Sequence, residues 1–175
     1  MCIRDRLDTA GGGKYFLNLA FALVGRMRGG PAKAAILASG LTGMISGSSV
    51  ANTVTTGTFT IPIMKKTGLP AIKAGAVEVA ASVNGQIMPP IMGAAAFVMA
   101  ELLGIPYFTV VTHAFLPAVI SYIALFYISH LESLKLNIKG LPEKEVPNLK
   151  KTFFGGIHFL IPIFILIYLL LFQRW

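Results

Sequence analysis

Between positions 34 and 64 the chain carries no charged side chain, and in the middle of that run stand Ser46-Gly47-Ser48-Ser49-Val50-Ala51-Asn52-Thr53. At about 1.5 Å of rise per residue the run is far longer than the roughly 30 Å hydrocarbon core of a bilayer requires, so one straight span fits it poorly. Gly47 and its hydroxyl-bearing neighbours supply a break, and irregular backbone at membrane depth is tolerated only where it is buried in protein or lines a cavity. The pattern therefore predicts two half-helices meeting at a polar tip, a re-entrant hairpin over residues 34–64.

A second interruption follows. The apolar stretch 74–100 is cut at Asn84-Gly85-Gln86-Ile87-Met88-Pro89-Pro90, where two successive prolines remove backbone donors and free carbonyls from the helical ladder. The expected organisation is a broken transmembrane helix over 65–104, a transmembrane helix over 105–133, a cytoplasmic linker over 134–152 and a further transmembrane helix over 153–175. Residues 8–33 are expected to end a span or to lie along the interface. Met1-Cys2-Ile3-Arg4-Asp5-Arg6 looks like a translated sequencing adapter, so residues 1–7 are expected to be non-native. The chain also stops shortly after an apolar run, and truncation at both ends is the expectation.

Composition sharpens this to an all-α polytopic membrane protein, since 55% of residues are hydrophobic and only 13% charged, beyond what a soluble domain of this length needs for its core. The net charge of +8 does not point to nucleic acid. The basic residues fall in clusters between apolar runs: Arg26, Arg28 and Lys33; Lys65, Lys66 and Lys73; Lys135, Lys139, Lys144, Lys150 and Lys151. The positive-inside rule puts all three clusters in the cytoplasm, which requires the segment between the first two to enter and leave on one side, as a hairpin does. Glu101 then marks the outer turn. The lone Cys2 rules out an internal disulfide.

A hairpin tip and a broken helix close in sequence form the usual ion and substrate site of a secondary transporter, with helix N-termini facing anions and unwound carbonyls free for a cation. At these residues the chain resembles the large membrane subunit of tripartite ATP-independent periplasmic (TRAP) transporters, of the fused type working with TAXI binding proteins. The resemblance rests on Gly25-Arg26-Met27-Arg28-Gly29-Gly30, Ile45-Ser46-Gly47-Ser48-Ser49-Val50-Ala51-Asn52, Gly57-Thr58-Phe59-Thr60-Ile61-Pro62 and Gly85-Gln86-Ile87-Met88-Pro89-Pro90-Ile91-Met92-Gly93-Ala94-Ala95-Ala96-Phe97. It implies an elevator-type importer in a bacterial or archaeal cytoplasmic membrane, embedded in lipid, coupled to sodium and needing no other cofactor. Such an importer receives an organic anion from an extracytoplasmic binding protein of TAXI type. Only one hairpin and broken-helix pair is visible where the family has two, so the chain looks like half of a transport domain.

Carried over residue by residue, Ser46, Ser48, Ser49, Asn52 and Gly85 are candidate cation ligands, and Thr53, Asn84, Gln86, Pro89 and Pro90 candidate substrate contacts. Ile91 stands where many relatives have serine, which removes a hydroxyl there. The same small and hydroxyl residues also serve as packing glue between transmembrane helices, and the double proline also reads as a simple kink.

Glu78 has two open readings. A carboxylate within a span costs about 3 kcal/mol and is by default functional, yet Glu78 lies about one turn past Lys73 and so within reach of water or a basic partner. His113, His130 and His158 share no metal-ligand spacing, and Tyr107, Tyr122, Tyr127 and Tyr168 suit interfacial belts or apolar packing. Two other classes stay in view. One is an anion symporter that needs no binding protein, the other an intramembrane serine hydrolase using Ser48 or Ser49 with His113, though no GxSxG elbow is present.

Overall fold

The computed structural model describes residues 11–138, 140 and 146–172, and every regular element among them is a helix. These are α1 Gly12–Val24, α2 Gly30–Ser46, α3 Ser49–Lys66, α4 Ala71–Gln86, α5 Ala94–Leu103, α6 Tyr107–Lys135, α7 Leu149–Gly155 and α8 Ile157–Phe172. Residues 1–7, Lys139 and Lys144 lie outside the described residues.

The two helices of the uncharged run are separated by local chemistry. Pro31 opens α2 with its φ already set for a helix, and Gly47 closes it at φ 64°, a left-handed conformation that glycine adopts without a Cβ penalty. Ser48, in extended backbone, then starts α3, its Oγ accepting the Ala51 N–H at 3.4 Å. The chain thus reverses in two residues.

α2 is the central helix. It packs against α1, α3, α4 and α6, and Ala34, Ala35, Ile36, Ala38 and Ser39 are all buried. A helix buried nearly all round needs no amphipathic face. α4 lies across both α2 and α3, and glycines bring it close: a Cβ on Gly85 would stand 2.9 Å from Gly43 Cα. Small residues at such a crossing let the backbones approach.

The basic ends gather at one end of the bundle. Ala32 and Ala35 of α2, Met64 of α3, Ala74 of α4 and Ile138 just past α6 form one apolar cluster. Beside it Lys33 Nζ lies 3.2 Å from His130 Nδ1, and Lys73 pairs with Glu132. α4 ends at Gln86, and after the non-helical stretch 87–93 α5 resumes from Gly93. α5 folds back on α6 through Met92, Ala96 and Val111.

Among the described residues one helix, α6, with 29 residues, is long and apolar enough to cross a bilayer. Much of its surface is uncovered apolar side chain, including Phe108, Phe115, Leu116, Ile120, Ile123 and Ile128. The last apolar segment is divided differently from the single stretch read in the sequence, α7 starting at Leu149 and α8 following Gly156.

Candidate functional site

The turn at Gly47-Ser48 meets the interruption between α4 and α5. Gln86 Nε2 donates to the Gly47 carbonyl at 3.3 Å, and the Gly93 N–H donates to the Gln86 carbonyl at 2.7 Å. The approach at Gly93 is tight, since a Cβ there would come within 3.1 Å of Gly47 O. Three of the sequence candidates, Ser46, Ser48 and Gln86, are therefore within or beside one contact zone. Ser46 Oγ is positioned to donate to the carbonyls of Gly43 and Ser48, each at 3.4 Å. Ser49, Pro89 and Pro90 are half-buried there.

Other candidates point elsewhere. Thr53 Oγ1 donates to Ser49 O at 2.8 Å within its own helix. Asn84 turns to α6, its Oδ1 accepting from Ser121 Oγ at 2.8 Å. Gly85 packs on Gly43, and its carbonyl accepts the Met88 N–H at 3.2 Å. Asn52, only 2% exposed, sends its Nδ2 away from the turn to Ser39 O, Ser39 Oγ and Ser82 Oγ at 2.8, 2.9 and 3.1 Å.

That direction leads to Glu78, which is wholly buried. The sequence reading allowed it water or a basic partner, and among the described residues no basic side chain bonds to it. Ser39 Oγ donates to its Oε1 at 3.0 Å, Thr56 Oγ1 contacts the same oxygen, and Thr60 Oγ1 donates to Oε2 at 2.6 Å. Ser82 Oγ lies 3.0 Å from Ser39 Oγ. The reason is rotational: the face of α4 bearing Glu78 and Ser82 turns inward between α2 and α3, while Lys73, one turn earlier, is drawn to Glu132 of α6. Ser39, Thr56, Thr60 and Ser82 were not singled out in the sequence. Their signal was present as i, i+4 spacing, Asn52-Thr56-Thr60 on α3 and Glu78-Ser82 on α4, which puts each set on one helix face.

The carbonyls freed by the interruption also find a donor. Tyr107, placed by its sequence context in an interfacial belt or apolar packing, directs its hydroxyl at Pro90 O (3.2 Å) and Ile91 O while its ring stacks on Phe97 with centroids 4.5 Å apart. The histidines stay apart: His113 Nδ1 contacts Thr109 O in its own helix, and His158 lies against Phe159.

Residues 5–173 match the family model for the DctM component of tripartite ATP-independent periplasmic transporters. Among curated proteins the chain is similar to the "Uncharacterized protein YgiK" of Salmonella typhimurium, 39% identical over 84 residues, which are 48% of this chain and 19% of that protein. It is similar also to a "Putative TRAP transporter large permease protein" of Haemophilus influenzae, 33% identical over 48% of this chain and 20% of that protein. A third, the "Uncharacterized protein y4mL" of Sinorhizobium fredii, is 36% identical over 45% of this chain and 19% of its own length. The matched stretch spans about a fifth of each relative.

Proposed function

The chain belongs to the DctM component family of tripartite ATP-independent periplasmic transporters, a family of transporters and not of enzymes, and from that premise we propose that it supplies one hairpin and one broken helix of a sodium-coupled importer. α2 and α3 form the hairpin, α4 and α5 the broken helix, and the two meet where Gln86 reaches Gly47. That meeting is the single observation carrying the proposal.

Its chemistry suits a hard monovalent cation and an anion together. The Ser46, Ser48 and Ser49 hydroxyls and the freed carbonyls near Pro90 offer oxygen ligands without placing a fixed charge in the bilayer. The N-terminus of α3 begins at the same turn, and a helix N-terminus carries partial positive charge suited to a carboxylate. The cargo in this reading is an organic anion handed over by an extracytoplasmic binding protein of TAXI type. The basic ends gathered around Lys33 and Lys73 support a cytoplasmic side at that end of a multi-pass bundle, and the uncovered apolar surface of α6 supports lipid or further membrane helices around it.

The test is uptake into proteoliposomes holding the full-length transporter that carries this sequence, with its binding protein outside. Ser46→Ala with Ser48→Ala is expected to raise the sodium concentration for half-maximal uptake at least tenfold, while Ser48→Thr, which keeps the hydroxyl and the cap, stays near wild type. Unchanged sodium dependence in the double variant would sink the assignment.

A further inference from the structure

Glu78 is buried, its partners among the described residues are all neutral, and this arrangement accommodates it both with and without a proton. Each of the three hydroxyls facing the carboxyl has one hydrogen and a second acceptor within reach. Thr56 Oγ1 can turn to Asn52 O at 2.8 Å, Thr60 Oγ1 to Thr56 O at 3.0 Å, and Ser39 Oγ to Ser82 Oγ at 3.0 Å. With Glu78 ionised, the hydroxyl hydrogens point at Oε1 and Oε2. With a proton on Oε2, the acid donates to Thr60 Oγ1, Thr60 turns its hydrogen to Thr56 O, and no heavy atom has to move.

We propose that Glu78, with Ser39, Thr56, Thr60 and Ser82, is a buried proton-exchange site lying deeper in the hairpin and broken-helix interface than the Gly47-Ser48 turn. The reaction is simple addition and loss of one proton at a carboxylate oxygen, exchanged with water. Thr56, which contacts Glu78 Oε1, also lines a cleft of ≈ 170 Å³ between α1, α2 and α3, along with Lys14, Thr42, Thr55 and Phe59, so one hydroxyl separates the carboxyl from that cleft. The Lys14 ammonium on that cleft works against entry of a metal cation, and oxygens 2.6 to 3.0 Å apart around the carboxyl are already closed on one another by hydrogens.

Among the described residues no charged group bonds to Glu78. The charged residue of α2 is Lys33, held by His130 of α6; on α4 itself Lys73 is held by Glu132 of α6; α3 turns the polar side chains of Asn52, Thr56 and Thr60 to this face, its Lys65 and Lys66 lying in its last turn. The site stands on this geometry, and its first test is independent of whether the protein transports.

That test is infrared difference spectroscopy on the full-length protein carrying this sequence, in lipid nanodiscs. Lowering pH in sodium-free buffer is expected to bring up a protonated-carboxyl stretch that Glu78→Gln lacks and that Thr60→Val, which removes one partner of the acid, shifts in frequency. If Glu78→Gln does not fold, the Thr60→Val shift decides. A band unchanged in both variants overturns the proposal, and so does a Glu78-dependent carboxylate change produced by sodium chloride at fixed pH instead of by protons. Absence of any uptake by the wild type would count against the transport reading alone and leave the spectroscopic result standing.

Discussion

Replacing Gly85 with alanine tests whether the close crossing of α2 and α4 holds this bundle together. The new methyl would lie 2.9 Å from Gly43 Cα and 3.2 Å from Ser39 O, both backbone atoms of a central helix that has no room to retreat. Overpacking of this kind costs about 1–3 kcal/mol. Alanine also gains helix propensity over glycine, worth up to about 1 kcal/mol, so one variant alone mixes two opposed effects. Gly75 in the same helix separates them, since a Cβ there meets nothing within 4 Å. Gly75→Ala is expected to stabilise by the propensity gain, and Gly85→Ala to fall below it by the packing cost. At about 2–4 °C per kcal/mol for a chain of this size, the midpoints of the two variants should differ by about 2–12 °C. The assay is thermal denaturation in a mild detergent, with surviving folded protein measured by size-exclusion chromatography. Gly85→Ala as stable as Gly75→Ala, or more so, would refute the close-crossing argument.

Two further outcomes follow from polar atoms at the same interfaces. The Tyr122 hydroxyl is buried without a hydrogen-bond partner among the described residues, so Tyr122→Phe should raise the thermal midpoint by relieving a desolvation cost of about 1–3 kcal/mol; a lower midpoint would mean that the hydroxyl is engaged. Tyr107→Phe keeps the ring stacked on Phe97 but removes the donor to the carbonyls after the double proline, so it should cost about 1 kcal/mol and speed amide hydrogen exchange selectively in residues 91–93. Exchange rising equally throughout α4 and α6 would argue for a general loosening instead.

Much of the architecture was legible in the chain itself, because its signals are local. An uncharged run too long for one span, a glycine followed by a serine, and two adjacent prolines locate the ends of α2, α3 and α4 through backbone conformation and missing donors, which do not depend on distant residues. The clustering of Lys and Arg likewise pointed to ends that share one side, and the fold brings Lys33, Lys73 and the end of α6 together. What the linear pattern could not decide is rotation. Hydrophobicity hardly varies around α2 and α4, so periodicity does not say which face meets which neighbour. The glycine contacts at Gly43 and Gly85 settle it. They turn Asn52 away from the turn it was read into, set Asn84 against Ser121, and carry Glu78 from a supposed water-accessible edge into a ring of hydroxyls. A carboxyl's neighbours are chosen by helices that approach from elsewhere in the chain, and only the packed tertiary structure shows them.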